Sequence, residues 1–154
     1  MGKKLLVISI LCVGITILCV SCRGDREAKQ RVPAYLAGEW IVESAEINGE
    51  LYDDLNGVLI EIDDSSCKWN LPGRTLSHLL STDVSASPMQ FDQFVVDNNG
   101  HRNLVPGIFK VEQGKLFLCR CDPDFMRPFS FDTKANRQAL LYIFRKPNEN
   151  DDGE

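Results

Sequence analysis

The stretch VLIEIDDSSCKWNLPG, residues 58–73, decides the fold class of this chain. Its first segment alternates, with Val58, Ile60 and Ile62 on one face and Glu61 on the other. That period of two is typical of a half-buried β-strand. The cluster DDSS then predicts a turn, CKWNL alternates again, and Pro-Gly ends the segment. The stretch therefore indicates two short strands separated by a turn.

The same pattern extends in both directions. Further alternating or apolar runs lie at residues 40–47, 89–96, 107–111, 115–121 and 139–145, separated by turn residues. No segment shows a long period of 3.6, and we expect short helical turns at most, at residues 51–55 and 75–80. Short strands at intervals of about 8–12 residues predict an all-β fold, a small antiparallel barrel or sandwich.

The chain begins with a secretion signal. Lys3 and Lys4 precede residues 5–20, an almost unbroken apolar run, and the next charge is Arg23. The run is a little shorter than the roughly 20 residues that span a bilayer as a helix. A basic start followed by an apolar core predicts a signal peptide.

The end of this run is Cys19-Val20-Ser21-Cys22, which resembles a bacterial lipobox, although Cys19 stands where that pattern usually has Leu. The resemblance implies cleavage before Cys22, lipidation of Cys22 and a membrane anchor. The alternatives are an ordinary cleaved signal or an uncleaved anchor helix. All three place the rest of the chain outside the cytoplasm, in the bacterial cell envelope and facing the periplasm or the exterior.

We divide the chain into a signal peptide (1–21), a lipidated cysteine with a flexible tether (22–33), one domain (34–146) and an acidic disordered tail (147–154). The signal contains two of the 17 basic residues and none of the 22 acidic ones, so its removal changes the net charge from −5 to −7. This charge argues against a nucleic-acid partner, which requires basic patches.

Five motifs follow one another through residues 34–146: LAGEW (36–40), PMQFD (88–92), GIFKV (107–111) with KLFLC (115–119), RPFSF (127–131), and ALLYIFR (139–145). In this order they resemble the lipocalin-like domain common in planctomycete proteins. The resemblance implies an up-and-down antiparallel β-barrel of about eight strands. It implies no activity, and the binding of a small apolar ligand follows from it only by analogy of fold.

Gly38-Glu39-Trp40 also resembles the G-x-W signature of lipocalins, in which the Trp closes one barrel end against an Arg of the last strand. Because the first and last strands of a closed barrel pair, we expect Arg145 to lie over Trp40. The resemblance implies structural roles for Gly38, Trp40, Arg145, Pro128 and Phe131.

A ligand could bind in the barrel interior or at its mouth. We expect an inward set of Val42, Ile60, Ile62, Trp69, Leu71, Phe109, Val111, Phe117, Leu140, Tyr142 and Phe144. An eight-stranded barrel either fills with such side chains or holds one small ligand. Arg127 either pins loop carbonyls at the rim or holds an anion there. The candidate ligand-binding residues are Trp69, Phe109, Phe117, Tyr142 and Arg127.

Catalytic and metal chemistry has no local support in the sequence. His78 and His101 are isolated, and no carboxylate cluster fits a calcium loop. No nucleophile elbow, phosphate loop or dinucleotide fingerprint occurs. We therefore predict no enzyme, no metal and no cofactor.

Three cysteines remain once Cys12 and Cys19 leave with the signal and Cys22 is lipidated. Cys119 and Cys121 share one face of a strand with Cα atoms about 6.5–7 Å apart, at the limit for a mutual disulfide. They either pack as small core residues, or one of them pairs with Cys67 in the oxidising envelope.

Two functions remain open, and an enzyme ranks well below both of them. The first is a lipid-anchored, lipocalin-like protein that binds a small apolar or amphiphilic ligand. The second is a barrel with a filled core that serves as a structural or protein-interaction module of the envelope.

Overall fold

The computed structural model describes residues 31–148 and shows an all-β fold. Its strands are β1 (Gly38–Ile47), β2 (Glu50–Leu51), β3 (Leu59–Ile62), β4 (Ser66–Leu71), β5 (Arg74–Asp83), β6 (Met89–Val96), β7 (Arg102–Val105), β8 (Gly107–Glu112), β9 (Lys115–Cys121) and β10 (Ala139–Arg145). A single turn of 3-10 helix (Asp53–Leu55) follows β2. In this part of the chain no helix is long and apolar enough to cross a membrane. The predicted signal peptide, Cys22, most of the tether and residues 149–154 lie outside the described residues.

Eight strands form a closed antiparallel barrel, which confirms the predicted fold class. The ring runs β1-β3-β4-β5-β6-β8-β9-β10, and β10 closes it by pairing with β1 from Ile41↔Arg145 to Ile47↔Leu140. Strands β2 and β7 pair only with β1 and β6 and stand outside the ring. Closure leaves each ring strand with two neighbours and removes the exposed sheet edges.

The strand registers define two ends. The chain enters β1 at Gly38 at the end that we call lower, where the β3–β4 and β8–β9 turns also lie. The β4–β5 hairpin and the long loop 122–138 lie at the upper end.

The lower half of the interior is filled and, apart from Thr82, apolar; the buried Thr82 hydroxyl has no hydrogen-bond partner in residues 31–148. Trp40, Phe91, Phe109 and Phe144 are each at most 2% exposed. The Trp40 indole N–H donates to the Leu36 carbonyl at 2.8 Å. Val32 and Leu36 also belong to this core. Val32, which the sequence analysis assigned to the tether, therefore packs inside the domain.

Lys146, not Arg145, is the cation over Trp40, so the sequence prediction for this pair is wrong. The Lys146 Nζ lies 3.9 Å from the centre of the indole ring and donates to the Ala37 carbonyl at 3.1 Å. Phe144 points inward, so Arg145 falls on the outward side of β10 by alternation. Gly38 has φ +99, which favours glycine, and a Cβ there would stand 3.6 Å from the Lys146 Nζ.

Residues 75–80 lie in β5 and not in a helical turn, which corrects the sequence prediction. On β5 the inward positions include His78 and Thr82, so polar residues interrupt the apolar alternation. Strand β7 was not predicted either, because three of its four residues are exposed.

A second cluster packs on the outside of the barrel wall. Ile108, Cys119, Cys121, Ala139 and Leu141 are buried there, with Phe117, Phe131 and Ile143 packed against them. Loop 122–138 joins β9 to β10 along this face. Pro128 is buried within the loop, and the buried Thr133 hydroxyl donates to the Glu46 carboxylate on β1 and accepts from the Gly49 N–H at 2.8 Å.

Candidate functional site

The upper half of the interior contains a group of polar side chains, Trp69, His78, Gln93, Arg120 and Tyr142, which we call the polar layer. They come from five strands of the ring: β4, β5, β6, β9 and β10. All but Arg120 are buried, and Arg120 is partly buried. A filled barrel core needs no such layer, so these residues are the candidate functional site.

Strand pairing explains how Arg120 enters the barrel. Opposite residues of paired strands point to the same side of the sheet, and Arg120 lies opposite Gly107 on β8 and Leu140 on β10. Two residues earlier on β9, Leu118 pairs with Phe109 on β8 and with Tyr142 on β10, and all three side chains lie in the core. The period of two therefore points Arg120 inward.

The guanidinium of Arg120 is held by two hydrogen bonds and two rings. It donates to the Gln93 side-chain oxygen at 2.7 Å and to the Tyr142 hydroxyl at 3.2 Å. Its central carbon lies 4.8 Å from the Trp69 ring centre and 5.4 Å from that of Tyr142. Trp69 and Tyr142 also contact each other, with ring centres 5.0 Å apart.

The Arg120 bond determines which way the Gln93 amide points. Arg can only donate, so the Gln93 oxygen must face it and the amide NH2 must point away. That Nε2 makes no hydrogen bond of good geometry in residues 31–148, and neither do Trp69 Nε1 and His78 Nδ1. The Cys67 thiol lies close enough to Gln93 and Trp69 for both to lower its pKa, and Gln93 likewise acts on His78, but sulfur is a weak acceptor and leaves these donors poorly satisfied. Gln93, Trp69 and His78 are 1%, 3% and 8% exposed. Buried polar atoms are normally paired, so three unpaired atoms in one layer mark a binding position.

The charge of the layer is positive. Burial, and then the Arg120 charge, lower the pKa of His78 against a smaller opposing effect of Gln93, and the net lowering favours the neutral imidazole. Burial raises the pKa of the neighbouring Cys67 thiol to about 12, which keeps it protonated. No carboxylate of the described residues lies within ion-pair distance of Arg120. Arg120 is therefore a cation in the barrel without a counter-ion from that part of the chain.

Leucine side chains lie beside and above the layer. Leu76 is opposite Trp69 and Leu140 is opposite Arg120, while Leu71 lies two residues beyond Trp69 toward the upper end. These three leucines and Leu55 are partly buried and pack against the core. Asp53 and Asp54 of the 3-10 helix are exposed nearby. Solvent and salt screen such exposed carboxylates. The upper half of the interior therefore combines leucine side chains with a polar, cationic layer.

Three of the five predicted ligand-binding residues, Trp69, Phe109 and Tyr142, face the interior, where Phe109 lies in the filled lower half. The prediction for Phe117 is wrong, because Phe117 packs in the outer cluster. Val111, also predicted inward, is 36% exposed at the lower end. The other predicted inward residues lie in or against the core cluster.

The anion-binding hypothesis for Arg127 is also wrong. Its guanidinium makes a two-point ion pair with Asp92, at 2.5 and 2.9 Å, and donates to the Gly107 carbonyl at 2.7 Å. Asp92 lies between the inward residues Phe91 and Gln93 on β6, so this pair is on the outer wall. Arg127 pins loop 122–138 to the barrel, as the structural alternative predicted.

The possible disulfide from Cys67 to Cys119 or Cys121 is absent from the described residues. All three cysteines are free and buried. Cys67 belongs to the interior core, while Cys119 and Cys121 belong to the outer cluster. The barrel wall separates them, so Cys119 and Cys121 have the alternative role of small packing residues.

The sequence did not predict Arg120, His78 and Gln93 as site residues. A signal existed on β6, where Gln93 interrupts the alternating Met89, Phe91 and Val95. Arg120 was hidden because apolar residues occupy both faces of β9. The polar layer emerges only when the register of β8, β9 and β10 is known.

Other features of the described residues are weaker candidates for a functional site than the polar layer. Over residues 31–148, no three His, Cys, Asp or Glu side chains come together as a metal site requires. A surface hollow of about 370 Å³ is lined by loop 122–138 and includes Phe125, Met126 and Phe129. This hollow lies outside the barrel.

Comparison with protein-family models, curated proteins and solved structures finds no match for this chain. The geometry of the barrel interior is therefore the basis for inferring a function.

Proposed function

We propose that this protein is a lipid-anchored, lipocalin-like barrel of the bacterial envelope that binds one small amphiphilic molecule in its upper half. The observation that carries the proposal is the set of three buried polar atoms, on Trp69, His78 and Gln93, that lack partners beside Arg120. Each of these atoms can still form a hydrogen bond, and a ligand with a polar group could supply the partner.

The energetics favour a binding role for this layer. Each buried polar atom left unpaired costs about 1–3 kcal/mol. Apolar residues of similar volume would avoid that cost. The strained or unsatisfied positions of a fold are expected at its functional sites.

The two halves of the interior suit different parts of a ligand. The aromatic side chains of the lower half fill it, so the ligand binds above them. Its polar group meets the polar layer, and its apolar part lies against Leu76 and Leu140 beside that layer and against Leu71 above it. Concave apolar sites with a few convergent polar groups are the usual form of small-molecule sites.

A neutral apolar fluorescent probe, N-phenyl-1-naphthylamine, tests this proposal. The full chain is placed in nanodiscs of zwitterionic lipid, with protein-free nanodiscs as background. We expect saturable fluorescence enhancement with one probe per chain. In native mass spectra of the same sample, we expect either the chain with a co-purified molecule bound or an empty chain that gains the mass of one probe.

Two substitutions on β5 give matched variants. Leu76→Trp adds a large ring opposite Trp69, beside the polar layer, and should weaken probe binding about tenfold or more. Leu79→Trp changes an exposed residue that lies on the opposite face of the strand, and should leave binding unchanged. Absence of saturable enhancement, together with an empty chain in native mass spectra, would overturn the proposal.

The outer loop favours the second candidate function, an interaction module. Met126 and Phe129 are 89% and 70% exposed, and exposed apolar side chains that lie together mark interaction surfaces. If the barrel is empty, these two side chains are where we expect an envelope partner to bind. Met126→Ser combined with Phe129→Ser would then abolish partner capture while leaving the barrel folded.

A further inference from the structure

We propose that the polar group of the ligand is a compact oxyanion, a carboxylate or a phosphate monoester, and that Arg120 binds it. This inference rests on the proposed function and specifies the chemistry of the same site. It follows from the charge, the hydrogen-bond donors and the geometry of the polar layer.

The first argument is charge. Arg120 is always protonated, and none of the described carboxylates pairs with it. The buried polar and charged residues of the domain are His78, Thr82, Gln93 and Thr133, none of which is acidic. A cation in a low-dielectric interior requires an anion or strong acceptors to offset its lost hydration. A ligand oxyanion supplies that charge.

The second argument is the excess of donors. The guanidinium has five N–H groups, and two of them are used, toward Gln93 and Tyr142. The free atoms of Gln93 and Trp69 are both donors, because the Gln93 oxygen already faces Arg120. His78 Nδ1 donates or accepts according to its tautomer. The layer therefore recognises an acceptor with several lone pairs and not a second donor.

The third argument is preorganisation. The guanidinium lies against the Trp69 and Tyr142 rings at 4.8 and 5.4 Å, while Gln93 and Tyr142 accept from it. These contacts restrict the plane of the guanidinium before any ligand arrives. A restrained fork of N–H groups matches the paired oxygens of a carboxylate or phosphate.

A series of ten-carbon ligands tests the inference without any substitution. Decanoate, decyl phosphate, decanol and decyltrimethylammonium are titrated into the full chain in nanodiscs, with displacement of N-phenyl-1-naphthylamine as the readout. We expect decanoate or decyl phosphate to bind about tenfold or more tightly than decanol, because a charge-assisted hydrogen bond is gained. The cation should bind more weakly than decanol. The two acidic arms distinguish carboxylate from phosphate recognition.

Arg120→Met removes the charge and keeps an unbranched side chain. We expect it to lower the affinity for the favoured anion about tenfold and to leave decanol binding unchanged. Arg74→Met is the matched control, because Arg74 is an exposed residue at the same end of the barrel and undergoes the same loss of charge. Circular dichroism of both variants confirms that the barrel is folded.

The outcomes separate this inference from the proposed function. If none of the ligands displaces the probe and the probe itself fails to bind, the proposed function fails. If decanol binds as tightly as both anions, the barrel binds amphiphiles but the oxyanion assignment is wrong. The same conclusion follows if a folded Arg120→Met protein keeps the full preference for the anion.

Discussion

At the scale of single residues, two cations beside tryptophans have different tasks. Lys146 lies over Trp40 at the lower end, where the indole N–H is also bonded to Leu36. Arg120 lies against Trp69 inside the barrel. Lys146 adjoins a satisfied ring that closes the core, whereas Arg120 adjoins three polar atoms that lack partners among the described residues.

Trp40→Ala should lower the free energy of unfolding by about 3–5 kcal/mol, because it leaves a large cavity at the closed end. Trp40→Phe keeps most of the apolar area but loses the bond to the Leu36 carbonyl, and should cost about 1–3 kcal/mol. Urea titration of the purified protein measures both changes. A loss under about 1 kcal/mol for Trp40→Ala would show that the ring is not a core plug.

The sequence predicted the inward side chains well where one face of a strand is polar. Ile60 and Ile62 face the core, with Glu61 between them on the other side. Cys119 and Arg120 were harder to assign, because a charged arginine next to a cysteine suggests that the arginine faces solvent and the cysteine faces the interior. In the structure Arg120 faces the interior and Cys119 packs in the outer cluster.

At the scale of secondary-structure elements, β9 is buried on both faces. Leu116 and Leu118 lie in the barrel core, and Cys119 and Cys121 lie under loop 122–138. A strand covered on both sides reads as a continuous apolar run, so alternation does not reveal its inner face. The loop, which follows β9 in the chain, is what makes the outer face apolar.

Arg127→Met should release loop 122–138 from the barrel wall. The variant loses the two-point bond to Asp92, and should lose about 1.5–3 kcal/mol of stability, the range for hydrogen bonds to charged groups. Cys119 and Cys121 should then react with a thiol reagent, while Cys67 stays protected inside the barrel. Mass spectrometry of labelled peptides identifies each site.

Arg137→Met is the control for this experiment, because Arg137 is an exposed residue of the same loop. The thiols of the Arg137→Met variant should remain as protected as in the parent protein, where burial raises the pKa of Cys119 to about 12. Unchanged labelling of Cys119 and Cys121 in Arg127→Met would contradict the role of the ion pair.

At the scale of the whole molecule, the barrel is closed at its lower end by the segment that leads to the N-terminus. Val32 and Leu36 pack into the core before β1 begins, and the Val32 N–H donates to the Asp64 carbonyl at 3.4 Å. The first described residues, from residue 31 onward, therefore lie at the end of the barrel opposite the β4–β5 hairpin.

Labelling with an alkyne fatty acid in cells tests the lipid anchor. The protein should incorporate the label, and Cys22→Ser should abolish incorporation, because the acylated residue is lost. Cys19→Ser should keep the label, since Cys19 leaves with the signal peptide. An unlabelled protein with an N-terminus other than Cys22 would show an ordinary signal or an uncleaved helix instead.

The sequence by itself determined that residues 38–145 form short antiparallel strands, because alternation and turn dipeptides are local properties. It missed β5, where His78 and Thr82 occupy inward positions and break the apolar pattern. Only the tertiary structure decided which faces close around the interior, since closure depends on the pairing of β1 with β10. Pairing likewise decided the position of Arg120, because a register, and not a residue type, brings its guanidinium to Gln93 and Tyr142.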